Sequence, residues 1–384
     1  MEVAASGNAV VGAAIVGQSR VFSLAPQEWT GTYPAPAPPP FRVSHRWDLL
    51  DRHGALIGPL NGVLEGTLSR SAAASVKASA SLSLVDTGQV EDWTQVRIRP
   101  TITVNGTEWP LGVFLPDVPA VNYSGRQRLM DVALLDRTTI LAGDAFGTSY
   151  GVQSGTSVTE AIREIIETTG EAATGIYATD ELLLTAVESE PDDSKLAVIN
   201  QLLDAGNYFS LHTDGNGRFR ADPYLPPDKR PVVVEFIDGI NAELTGLYLP
   251  EFTVTRDIGS VPNRVRAVSQ SEADVPALVA EARNETGNEF SFEHLGFWRT
   301  LVETDVKTTS QEALQAYAER RLADASAPQQ TIEIEHPPYD FTVNDVVSFE
   351  SREHGVRGRF TVQNQEWSLT FDGMVSTKLR KVVE

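Results

Sequence analysis

Apolar and polar positions alternate along most of the chain from Phe41 to about Gly143, in the segments VSHRWDLLD, GVLEGTLSR and SVKASASLSLVD. In the last of these Ala78, Ala80, Leu82 and Leu84 fall on every second position, the period of a half-buried β-strand. From Val96 to Asp136 an alternating strand runs through a Gly-containing turn into a Gly-x-Phe strand (Gly112 to Phe114), then a meander whose next turn carries Gly125. The same order returns from Val346 to Lys378 with Gly358 to Phe360 and then Gly373. The two glycines are 13 residues apart in the first stretch and 15 in the second, so a duplicated β-unit and two unrelated meanders both remain open.

Between these stretches the period changes. Ser157-x-x-Glu160 is a capping box, and Val158, Ala161, Ile162, Ile165 and Ile166 follow at helical spacing until Gly170. A second helix is expected after a cap at Asp193 or Ser194, with Leu196, Ile199, Leu202 and Leu203 as its buried stripe and Gly206 at its end. FSLHTDGNGRFRAD then reads as a hairpin about Asp214-Gly215-Asn216-Gly217, and PYLPPDKRP as an exit linker. Beyond Val232, EFTVTRD and NRVRAVSQ read as strands and Pro276 to Arg283 as a short acidic excursion. Thr309-x-x-Glu312 predicts a cap for the helix EALQAYAERRLADAS. At the other end YPAPAPPP, Tyr33 to Pro40, cannot supply ladder donors and separates an N-terminal arm from the rest. The arm VVGAAIVGQSRVFSL is strand-like with nothing nearby to pair with, which leaves a disordered tail or an arm docked on a neighbouring subunit.

The expected class is therefore mainly β with α+β inserts: two similar small β-barrel domains flanking smaller α/β domains. The boundaries expected are 1–40 for the arm and linker, 41–146 for the first β-barrel, 147–231 for a small α/β insert, and 232–384 for the second β-barrel with a helical insertion. A chain of 384 residues exceeds what one core usually serves.

Composition narrows the chemistry. With 31 basic and 52 acidic residues the chain carries −21, which opposes binding to nucleic-acid phosphates. It has no cysteine, so disulfides, thiolate nucleophiles and Cys-ligated metals are excluded. Its most apolar N-terminal run, Ala9 to Val16, is too short to cross a bilayer and follows Glu2, so neither a signal peptide nor a membrane span is expected; the sequons at Asn105, Asn122 and Asn284 then carry no meaning. Leu84-Val85-Asp86-Thr87-Gly88 matches the aspartic-protease signature, but it occurs once, and a strand ending in an Asp-Thr-Gly turn accounts for it. The Asp214 loop alternates Asp and Asn like a calcium loop, yet Leu225 stands where that loop needs its Glu. His45, His53, His336 and His354 show no metal spacing, and Ser69, Ser71 and Ser75 sit in no nucleophile elbow. No catalytic, cofactor-binding or metal site is expected. Trp29, Trp47, Trp93, Trp109, Trp298 and Trp367 could stack on a carbohydrate, but their apolar strand contexts point to core packing.

Taken in order, LSRSAAASVKASASLSLVDTG, VEDW, RIRPTITVNGTEWPLGVFLP and MDVALLDRTTIL resemble the tail hub proteins of long-tailed bacteriophages, especially the minor tail proteins of actinobacterial phages. SVTEAIREIIETTG, the DDSKLAVINQLLDAGNYFSLHTDGNGRFR block, VPNRVRAVSQ, TSQEALQAYAERRLADAS and HPPYDFTVNDVV continue the resemblance, which spans about Phe41 to Val383. It implies a baseplate hub, a homotrimer at the distal end of the tail in the virion, assembled in the host cytoplasm, without cofactor or direct membrane insertion. Its implied partners are the distal tail or tail tube ring, the tape measure protein and tip or receptor-binding proteins, with genomic DNA passing through unbound. Two like barrels in each of three copies would match a six-fold tube to a three-fold tip. Family hubs sometimes carry an appended peptidase or lysozyme domain; here the second barrel is expected to close the chain. The alternatives are an aspartic-protease-like enzyme using Asp86 and a carbohydrate-binding β protein of a tail tip.

Overall fold

The computed structural model describes residues 11–16, 19–24, 41–125, 127–179, 181–183, 186–238, 246–269, 277–306, 310–325, 329–370 and 373–382. The chain divides into two compact units, Met1–Phe252 with Glu333–Glu384, and Thr253–Ile332.

Unit 1 begins with β1 (Val11–Val16) and β2 (Ser19–Leu24), an antiparallel pair. The expectation that the arm lacks a nearby partner is corrected: Arg20, Val21 and Phe22 pair with Val43, Arg42 and Phe41 at the start of β3 (Phe41–Asp51). The proline segment lies outside the described residues. There follow β4 (Leu56–Pro59), β5 (Val63–Ser71), β6 (Ala78–Val85), β7 (Val96–Val104), β8 (Thr107–Pro110), β9 (Phe114–Ser124) and β10 (Gln127–Asp136), then the short helix α1 (Thr138–Ala142). Their order in the sheet is β3-β7-β9-β10-β6-β5, with β4 on β3 and β8 on β7.

The period-2 pattern sets what this sheet buries. Ala80, Leu82 and Leu84 of β6 point inward as the alternation requires, beside Leu68, Ile98, Ile102, Phe114, Val132 and Leu134. The sheet curls until Trp47 on β3 lies against Gly66 on β5, the first and last strands of that order.

The insert follows, with β11 (Tyr150–Val152) paired to β12 (Val187–Ser189), and β13 (His212–Thr213) to β14 (Phe219–Arg220). Between them lie α2 (Val158–Glu167) and α3 (Lys195–Ala205). Ser157 Oγ accepts from the Glu160 N–H and Ser194 Oγ from the Ala197 N–H, so both helices start at hydroxyl caps, and Ser194 rather than Asp193 caps the second. Both apolar stripes are buried in one cluster with Phe219, Tyr208 and Leu141.

The chain returns to the sheet with β15 (Val232–Ile237) and leaves unit 1 within β16 (Phe252–Asp257). Unit 2 holds β17 (Arg264–Ser269), β18 (Val279–Arg283), α4 (Phe292–Leu295), β19 (Thr300–Val306) and α5 (Gln311–Ala325). Its strands lie in the order β18-β17-β19, with β17 parallel to β19. The stretch read as an acidic excursion is, over Val279 to Arg283, a strand: Ala280 and Ala282 alternate into the cluster formed by Val265, Ala267, Leu314, Ala318 and Leu322. The cap of α5 is Ser310, whose Oγ accepts from the Ala313 N–H; Thr309 lies outside the described residues.

Strand β20 (Gln329–His336) leads back to unit 1, which ends with β21 (Val346–Ser351), β22 (Val356–Ser368) and β23 (Val375–Lys381). The 13-residue β22 has a divided role: Val356 to Thr361 pair with β21, and Asn364 to Ser368 pair with Ser71 to Thr67 of β5. The N-terminal and C-terminal β regions therefore share one sheet. The fold is mainly β with α/β inserts, and among the described residues no barrel closes on itself through strand pairing.

Candidate functional site

The chemistry-like residues of the sequence are held in structural roles. Asp86 follows the last residue of β6, accepts from the Gly88 N–H at 2.9 Å and pairs with Arg128 at 3.0 Å. Its carboxylate is committed to a turn and to the neighbouring hairpin. Asp214 accepts from the Asn216 and Arg218 N–H groups at 2.9 and 3.0 Å, closing the hairpin tip. His336 is fully buried; His212 lies 3.3 Å from Asp222, and His354 meets the Ser351 hydroxyl at 3.0 Å. Among the described residues no three His, Asp or Glu side chains are placed to hold a metal ion. Trp47 and Trp367 are buried in the core; Trp93, Trp109 and Trp298 are half-buried, and Trp29 lies outside the described residues.

What the fold does bring into correspondence is the pair of Gly-x-Phe strands. Gly112 has φ +139° and Gly358 φ +147°, a backbone region that favours glycine, and each directs a fully buried phenylalanine two residues on, Phe114 and Phe360. Each strand then pairs antiparallel with the next, β9 with β10 and β22 with β23, and each ladder is interrupted once by a register shift, between Val132 and Leu134 and between Val362 and Asn364. The flanking strands differ. β21 pairs with β22 across six residues, including Phe349 with Gly358, whereas β7 and β9 share the single pair Ile98 with Phe114. The first hairpin also leaves Val121 and Tyr123 exposed near its tip.

A polar joint, which the sequence reading missed, fixes the insert to the first hairpin region. Glu171 receives Arg97 at 2.5 Å and also Arg137, all three side chains largely buried. Burial would push the Glu171 carboxyl up, but the hydrogen bonds from Arg97 and Arg137 hold it below its ordinary value. Beside it the Thr213 hydroxyl donates to Asp136 at 2.5 Å, and Arg137 Nη1 donates to the Gly217 carbonyl at 2.6 Å. The hairpin tip approaches β8 so closely that a Cβ on Gly215 would fall 2.1 Å from the Pro110 carbonyl oxygen. Arg70 is half-buried nearby; desolvation lowers its guanidinium to about 10, opposed by Asp136, Asp340 and Asp345, and it donates to the Leu111 carbonyl at 2.7 Å. The exit linker is fixed as well: Arg359 donates to the carbonyls of Pro227, Asp228 and Arg230. The hint in sequence was the strand VRIRP, where Arg97 and Arg99 occupy alternate positions between apolar residues.

No protein-family model matches the chain, and no curated protein sequence does. Solved structures do match. The tail protein from Neisseria meningitidis MC58 aligns with TM-score 0.61 over 88% of this chain and 96% of its own, at 12% identity. The 43 kDa tail protein of prophage MuSo2 from Shewanella oneidensis gives TM-score 0.58 over 88% and 98%, also at 12% identity. Prophage tail protein gp18 from Listeria monocytogenes EGD-e gives 0.52 over 88% and 94% at 13% identity. The chain thus has the fold of phage and prophage tail proteins.

Proposed function

We propose that the chain is a structural virion protein of a bacteriophage tail, acting as the hub at the distal end and adapting a six-fold tube to a three-fold tip. The observation that carries this reading is the repetition of one hairpin design in both halves of the chain, with Gly112 and Gly358 in the same unusual backbone region and Phe114 and Phe360 at equivalent depth. Three copies would present six related surfaces to the tube. The tail-protein fold supports the same assignment. Its partners in this reading are two further copies, the distal tail or tube ring, the tape measure protein and tip proteins.

The acidic balance has a role in this arrangement. Three copies bring a charge of −63, and an acidic channel wall repels DNA phosphates and lets the genome slide without adhering. Asp117 of β9 and Glu366 of β22, exposed further along the Gly-x-Phe strands themselves, are candidates for that wall. The enzymatic reading through Asp86 is less favoured, because that carboxylate is tied to Gly88 and Arg128.

A reconstruction of the purified tail tests the proposal by counting copies and tracing the bore. Three copies around a negative channel are expected. Six copies, a dimer, or a basic bore would overturn it.

A further inference from the structure

Unit 2 carries a sheet face rich in arginine. In β17 Val265 and Ala267 turn toward α5, so Arg264 and Arg266 stand on the opposite face; in β18 Ala280 and Ala282 turn inward and Val279, Glu281 and Arg283 outward. The register places Arg266 between Glu281 and Val302, and Arg264 between Arg283 and Thr300. Glu281 accepts from Arg266 at 2.9 Å and from Arg283 at 2.5 Å. The guanidinium groups of Arg264 and Arg283 lie 5.3 and 5.7 Å from the centre of the Trp298 ring, which stacks on Phe292 at 4.4 Å. Val279 and Val302 are 52% and 55% exposed. Three guanidiniums stand against two carboxylates, Glu281 and the exposed Glu285 at 3.8 Å from Arg283, so this face keeps an excess of one positive charge in a chain of −21. Arginine and tryptophan flanked by exposed aliphatics is the composition of a protein-docking surface.

We propose that this face docks on the outer stripe of α2 in a second copy of the chain. Charge complementarity selects that occupant. Glu160, Glu164 and Glu167 are exposed on α2 at spacings of four and three, on the side away from its buried stripe, and with the half-buried Arg163 among them that side carries −2. The surrounding stretch 147–226 holds 4 basic and 13 acidic residues, a balance of −9. A helix laid on an open sheet face is an ordinary layer packing. Each copy carries one donor face and one acceptor stripe, so the contact is head-to-tail and can close a ring. Closure at three rests on the hub reading; the contact itself does not.

The test uses charge reversal on the full chain, with self-association followed by sedimentation at 50 mM salt and folding checked by circular dichroism. Arg266→Glu with Arg283→Glu, and separately Glu160→Lys with Glu164→Lys and Glu167→Lys, should each weaken self-association at least tenfold. One chain bearing both sets should recover to within a few fold of the parent. Because the chain has no cysteine, mixing chains that carry Val302→Cys alone with chains that carry Glu164→Cys alone gives an independent readout, a mixed disulfide that can form only between copies. Absence of self-association in the parent at hundreds of micromolar, reversals without effect, or no recovery in the combined chain would overturn the contact. Arginine-dependent binding of oligo-dT without self-association would do so as well, by making the face a nucleic-acid site. A three-copy ring in the tail built without this contact would overturn the inference and leave the hub reading intact.

Discussion

Trp47 on β3 rests on the bare backbone of Gly66 on β5, so close that a Cβ there would lie 2.2 Å from the indole Cζ2. The contact seals the curl of the first β region, and the ring is packed in the core with Leu68, Leu82 and Ile98. Gly66→Ala should therefore cost about 1–3 kcal/mol, since an added methyl must displace a ring held on its other sides. Urea unfolding read by tryptophan fluorescence checks this, and a loss below about 0.5 kcal/mol would mean that the ring moves freely.

The two Gly-x-Phe strands should respond unequally to the same change. A Cβ on Gly112 would meet the Phe114 ring at 2.8 Å, whereas on Gly358 the nearest atom is the mobile Lys381 Cε at 3.3 Å. Both alanines force a strained φ, costing on the order of 1–3 kcal/mol. Gly112→Ala should be the more damaging in thermal unfolding, and the reverse order would contradict the packing described.

Glu171→Gln keeps the shape of the joint but leaves Arg97 and Arg137 buried beside a neutral amide. Removing one partner of a buried ionic cluster costs roughly 3–5 kcal/mol. The loss should appear first as increased proteolysis of the insert, measured by limited digestion, and should exceed that of Asp86→Asn, whose partner Arg128 is half exposed. For Asp86→Asn we expect under about 1 kcal/mol and infectivity within a few fold of the parent. Loss of infectivity with normal tails would revive a catalytic role.

His336 predicts a pH dependence. Its Nδ1–H donates to the Pro337 carbonyl at 2.6 Å, and its Nε2 accepts from the Thr377 hydroxyl at 2.8 Å. Burial lowers its pKa from 6.5 to about 4, only partly opposed by the Pro337 carbonyl. The unfolded chain then binds a proton that the folded chain refuses, so stability falls as pH drops from 6.5 toward 4, by on the order of 3 kcal/mol for this group. His336→Gln should flatten that part of the stability profile in denaturant titrations across pH 4 to 7. An unchanged slope would remove His336 from the account.

Local signals in the sequence led to local structure. The caps at Ser157 and Ser194, the alternation of β6 and the Asp214 hairpin all depend on neighbours within a few residues, which is why they could be read. Long-range pairing could not. Glu171 sits in a loop without periodicity, 74 residues from Arg97, and nothing near it announces a buried ion. The pairing of β22 with β5 escaped for the same reason, because either strand alone is equally well explained by a partner close in sequence. The strand at Val279 to Arg283 was hidden by its charges, which belong to the outward face of an amphipathic strand.

The β5 to β22 ladder also times the birth of the protein. Ser71 faces Asn364, 293 residues later, so at ribosomal speed this side of β5 waits about 15–60 s for its partner. Until then the nascent chain offers an unpaired strand edge to any other chain in reach. Yield from a host cell should thus depend on how quickly the last strands emerge and how crowded the ribosomes are, with slow translation near the 3′ end of the message favouring aggregates over assembled protein.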